Sequence, residues 1–99
     1  MQIGDAVKHL RKQKNIKQKD FSERCNITQT YLSQIENNKK KPNFELLERM
    51  GKYLEIPIPV ILFLSLTEDE VNDEKKALFN LMKPSIDKYL HDIFAIAEL

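Results

Sequence analysis

Three observations predict an all-helical fold. The 99 residues include only two glycines and four prolines, with 41% hydrophobic and 31% charged residues, which suits a folded helical domain better than a disordered or fibrous chain. Apolar residues recur at helical spacing in segment after segment. Asparagines, which tolerate the left-handed backbone, stand where those segments stop. The length is that of one domain.

In the first segment Ile3, Val7 and Leu10 share a face, predicting a helix over roughly 3–14 that ends at Asn15. A short second helix starts near Gln18, with Phe21 and Cys25 one turn apart, and Asn26 breaks it. Thr28 is an expected N-cap for a third helix over 28–36, with Leu32 and Ile35 inward and Gln29, Thr30, Ser33, Gln34 and Asn37 outward. Lys39-Lys40-Lys41 before Pro42 marks a basic turn. Asn43 then caps a fourth helix carrying Leu46, Leu47, Met50 and Leu54, and a fifth short helix starts near Pro59.

Thr67-Glu68-Asp69-Glu70 has the form of a capping box with acidic residues in the first turn, so a sixth helix is expected to start there with Val71, Leu78, Leu81 and Met82 on its inner face. Beyond Pro84 the positions Ile86, Tyr89, Leu90, Ile93, Phe94 and Ala97 give the most regular amphipathic stripe in the chain. Pro84 either kinks one long helix or starts a second.

The longest apolar run, Ile56 to Leu66, is far short of the ~20 residues of a membrane span. Met1-Gln2-Ile3-Gly4-Asp5 lacks the pattern of an export signal, so a cytoplasmic location is expected. A single cysteine, Cys25, allows no internal disulfide and reads as a small buried residue. His9 and His91 read as separate surface or partly packed residues, so neither a metal nor a cofactor is expected. Residues 1–55 carry twelve Lys/Arg against seven Asp/Glu, and residues 56–99 carry four against eight. An anionic partner is therefore to be sought on the first half.

Lys17 through Asn37, followed by Lys41-Pro42 and Leu46-Leu47, resembles the phage-repressor type of helix-turn-helix, the XRE/Cro family, and the resemblance extends over about residues 3–63. It implies a five-helix lambda-repressor-like DNA-binding domain over 1–66, to which the periodicity of 67–99 adds a helical extension of one or two amphipathic helices. Asn15, Asn26 and Asn38 stand where the family commonly has glycine, Lys17 replaces the usual Ser/Thr cap, and Ser22 replaces a common alanine.

The third helix is then the reader of the major groove, which admits one α-helix. Gln29, Thr30, Ser33 and Gln34 are the expected base contacts: the glutamines match adenine N6/N7, and the Thr30 methyl suits a thymine methyl. The resemblance makes Gln18 a phosphate ligand, and Thr28, Asn37, Lys39, Lys40 and Lys41 are placed to add phosphate contacts. Tyr31 is either core edge or phosphate ligand. In proteins this chain resembles, the positions of Arg11 and Glu36 form a structural ion pair.

Operators of the family are usually twofold symmetric, so a homodimer is expected, with Ile86, Tyr89, Leu90, Ile93 and Phe94 as the dimerisation stripe. The competing reading folds this stripe back onto its own subunit. A sequence-specific repressor or controller protein acting on double-stranded DNA is the leading function. The alternatives are the antitoxin of a two-gene module, with a toxin as partner, and an interaction adaptor that has lost DNA binding. No nucleophile, base and oxyanion donors gather in the sequence, and no catalytic residue is expected.

Overall fold

A computed structural model describes residues 1–96, and Ala97 lies outside them. The elements are α1 (Ile3–Gln13), α2 (Gln18–Arg24), α3 (Gln29–Glu36), α4 (Phe44–Leu54), α5 (Ile58–Leu64), two 3₁₀ turns (Glu68–Glu70 and Asp73–Lys75) and α6 (Lys76–Ile93). No strand occurs among the described residues, and none of their helices is long and apolar enough to cross a membrane.

The first five helices wrap a core of Val7, Leu10, Phe21, Leu32, Ile35, Leu47, Met50, Leu54 and Ile61. Helix α1 packs on α3 and α5, α2 packs on α3 and α4, and α4 packs on α5. Asn15, Asn26 and Asn38 all have positive φ (56°, 58° and 60°). At each the chain closes in the same way: the asparagine N–H reaches back three residues, and the next N–H reaches back five, as in Ile16 N to Arg11 O (3.1 Å). Glu55, at φ 59°, ends α4 in the same conformation with a side chain poorly suited to it.

Thr28 and Asn43 cap α3 and α4, accepting from the N–H groups of Tyr31 (3.0 Å) and Leu46 (2.8 Å). Lys17 makes no side-chain cap at α2. Gly4 lets α1 approach α3 closely, since a Cβ there would run into the Ile35 carbonyl. One residue on, Asp5 accepts from Asn38 Nδ2 at 2.7 Å.

The second part of the chain departs from the expectation in two ways. Thr67 and Glu70 form their capping box, yet it closes only a 3₁₀ turn, and α6 starts at Lys76. Val71 is extended (φ −113°, ψ 141°) and turns its side chain into an apolar groove with Phe63, Leu66, Phe79, Met82 and Ile86, so burial overrides the local helix signal. Of the expected inner face, Val71, Leu78 and Met82 line this groove, Leu78 and Met82 still half exposed, whereas Leu81 lies outside it at 75% exposure.

Pro84 lies within α6, which runs through it as one helix. The stripe expected to face a partner is also divided. Leu90 and Phe94 pack against their own core and Ile86 lines the groove, whereas Tyr89 and Ile93 remain 67% and 70% exposed. Helix α6 thus turns Phe79, Ile86, Leu90 and Phe94 inward, sets Leu78 and Met82 along the groove, and leaves Leu81, Tyr89 and Ile93 outward.

Candidate nucleic-acid interface

Leu32 and Ile35 anchor α3 with no exposure, and helical geometry then turns Gln29, Thr30, Ser33, Gln34 and Asn37 to the other side. Gln29, Thr30 and Asn37 are exposed, and Ser33 and Gln34 are half-buried. Thr28 is also exposed, but its Oγ1 is engaged as the helix cap, leaving its O–H free to donate. Tyr31 is half-buried and packs against the core. Asn38 turns the chain after α3, and Lys39, Lys40 and Lys41 are all exposed beyond it. Gln34 O accepts from the N–H groups of Lys39 (2.9 Å) and Lys40 (3.3 Å), fixing the start of the basic turn to the helix.

Behind this face lies a buried ion pair. Arg11 and Glu36 are 8% and 3% exposed. Arg11 Nε donates to Glu36 Oε2 at 2.6 Å and Nη2 donates to Oε1 at 2.9 Å, while Nη1 donates to the Ile16 carbonyl at 2.9 Å. The fork thus ties α1, its terminating turn and the end of α3 together.

Two glutamines continue the network outward. Gln18 Nε2 donates to Glu36 Oε1 at 3.2 Å, and Gln29 Nε2 donates to Gln18 Oε1 at 3.3 Å. The carboxylate can only accept, so Gln18 must turn its amide nitrogen inward and its oxygen toward Gln29. Gln29 in turn spends one N–H and keeps one donor and its oxygen open. One donor beside one acceptor is what the N7 and N6 edge of adenine requires. Sequence spacing alone could not find this relay, because its members are 11, 18 and 25 residues apart along the chain.

On the far side of α2, Arg49 Nε donates to the Cys25 carbonyl at 2.9 Å, and Arg24 lies over the Tyr53 ring at 5.3 Å, fixing α2 to α4. Burial pushes the Cys25 thiol up to about 11, against the pull of Arg49, so it stays a neutral thiol at neutral pH. Among the described residues no group of three or more His, Cys, Asp or Glu side chains is placed to hold a metal ion.

Comparison with known proteins gives a consistent picture. The helix-turn-helix family profile matches residues 7–61. The chain is 32% identical over 72 residues to the ImmF control region 10 kDa protein of Bacillus phage phi105, covering 73% of this chain and 77% of that one. It is 28% identical over 80 residues to the immunity repressor protein of the same phage, covering 81% of this chain but only 53% of the repressor. It therefore spans about half the length of that relative. The fold is similar to the crystal structure of the clp gene regulator ClgR from Corynebacterium glutamicum, with a TM-score of 0.65 at 20% identity, over 86% of this chain and 90% of the other.

Proposed function

The chain belongs to the helix-turn-helix family of XRE type, a family of transcriptional regulators and not of enzymes, and from that premise we propose that it is a homodimeric repressor that reads a twofold-symmetric operator. Helix α3 enters the major groove, with Gln29, Thr30, Ser33 and Gln34 at base edges. Thr28, Asn37 and Lys39 to Lys41 hold flanking phosphates, and Gln18 adds one through the amide N–H that it does not give to Glu36. The observation that carries this reading is the hydrogen-bonded run from Arg11 through Glu36 and Gln18 to Gln29, which holds an exposed carboxamide in one orientation. A solvated polar face has no use for such a support.

Residues 67–99 serve as the dimerisation element in this proposal. An eight-residue helix offers few base contacts, so a second copy one helical turn along the DNA is needed for affinity. Its docking surface is the outward face of α6, with Tyr89 and Ile93 at its C-terminal end. Full burial of each such side chain contributes about 1.5–3 kcal/mol, which a monomer leaves unused.

Selection of bound sites from random duplex DNA tests the proposal and should return a sequence with inverted halves. On that site Gln29→Ala should relax preference at one base position by about 1–3 kcal/mol. Lys40→Ala should instead weaken all sequences alike and lower the salt slope by about one ion. The absence of any salt-dependent DNA affinity would favour an adaptor, and dissociation of a stable complex with a neighbouring toxin on loss of the α6 face would favour an antitoxin.

A further inference from the structure

We propose that His9 and His91 form a proton-sensitive latch that holds the C-terminal end of α6 against α1, and that protonation of both imidazoles opens it. The two residues lie 82 positions apart in the chain, yet their Nε2 atoms are 3.0 Å apart. The ring centroids are 5.3 Å apart, so the two Nε2 corners meet head-on.

The proton positions follow from the surroundings. His91 Nδ1 lies 2.6 Å from the Asp87 backbone oxygen. A carbonyl only accepts, so Nδ1 carries a proton and the Nε2 of neutral His91 is a lone pair. His9 Nε2–H therefore donates to His91 Nε2. One extra proton leaves a single N–H···N bond wherever it binds: on His9 Nδ1 the bond is unchanged, and on His91 Nε2 it reverses, with His9 accepting at Nε2. A second extra proton replaces it with two opposed N–H groups on two cations.

The surrounding charges relieve only part of that repulsion. On α1, Asp5, Lys8 and Lys12 border the cleft beside His9, and Asp5 is already the acceptor of Asn38. On α6, Asp87 is the carboxylate that acts on His9, but Lys83 holds both its oxygens at 2.8 and 3.0 Å and Lys88 follows it, while Asp92, next to His91, is exposed. Helix α5 brings no titratable side chain. Burial first, and His91 second, push His9 below the usual imidazole value, with Asp87 opposing.

The sign follows. A released His9 binds protons more readily than a docked one, so docking is fully stable above the ordinary value of about 6.5 and weakens as the pH falls below it. The latch sits beside Leu90, Phe94 and Ile96, which pack into the core, and opening it frees this end of the helix. The inference does not depend on DNA binding.

Hydrogen exchange on the full chain tests it. The readout is the protection of amides 88–93 relative to those of α4 in the same molecule, which cancels the intrinsic pH dependence of exchange. Between about pH 7.5 and 5.5 the wild type should lose several-fold of this relative protection, up to the limit of about tenfold for one linked proton whose released value is about 6.5. In His9→Phe the loss should vanish. A constant wild-type ratio, or an equal loss in His9→Phe, overturns the proposal. Should that variant not fold, imidazole ¹⁵N titration of the wild type decides: two separated steps, with His91 Nε2 unprotonated at neutral pH, support the latch, and two independent ordinary titrations overturn it.

Discussion

Replacing Glu36 with alanine perturbs the group on which both the fold and the interface rely. Its carboxylate accepts from Arg11 at 2.6 and 2.9 Å and from Gln18 at 3.2 Å. An exposed ion pair of this kind contributes about 0–1 kcal/mol. This one is not exposed: at 3% and 8% accessibility, removal of Glu36 leaves the Arg11 guanidinium with only the Ile16 carbonyl as partner. Stranding a buried charge in this way costs about 3–5 kcal/mol. With a urea m-value of about 1 kcal/mol/M, the low end for small domains, the unfolding midpoint should fall by about 3–5 M. The double variant Arg11→Met/Glu36→Leu removes the stranded charge and should recover most of that loss. Equilibrium urea unfolding followed by circular dichroism measures both. A cost below about 1 kcal/mol for Glu36→Ala, or a double variant as unstable as the two single changes combined, would refute the reasoning.

Three further outcomes are expected. Glu55→Gly should raise stability by roughly 1 kcal/mol, because glycine removes the left-handed penalty at the end of α4; an unchanged melting temperature would argue against that penalty. Gly4→Ala should cost about 1–3 kcal/mol by forcing α1 away from the Ile35 carbonyl, and unfolding without any loss of stability would contradict the close crossing. Tyr89→Glu with Ile93→Glu should leave a folded chain that sediments as a monomer, whereas an unchanged dimer would place the interface elsewhere.

Much of the fold is legible in the sequence, for reasons that differ by element. Helices α1 to α5 each carry an apolar stripe at helical spacing, and three of their ends are marked by asparagine. Glu55 could not be foreseen as a left-handed residue, because glutamate gives no local signal for it and the turn is set by Ile56 returning to the Gly51 carbonyl at 2.9 Å. Thr67 and Glu70 signal a helix start that exists only locally, since Val71 after them is extended and lines the groove of Phe63, Phe79 and Ile86.

The outward residues of α3 follow from Leu32 and Ile35 by periodicity alone. What periodicity lacks is the third dimension. The link from Glu36 through Gln18 to Gln29 joins three helices. The division of the α6 stripe into an inward and an outward face depends on where the helix lies on the domain. The approach of His9 to His91 is likewise invisible in a chain where each histidine stands alone.

The most direct test of the central claim is a map of backbone amide shifts on adding a duplex obtained by selection. Perturbations should concentrate at Gln18, at residues 28–37 and at Lys39 to Lys41, with α6 moving little at constant dimer concentration. Perturbations centred on α6, with α3 unaffected by saturating DNA, would contradict it.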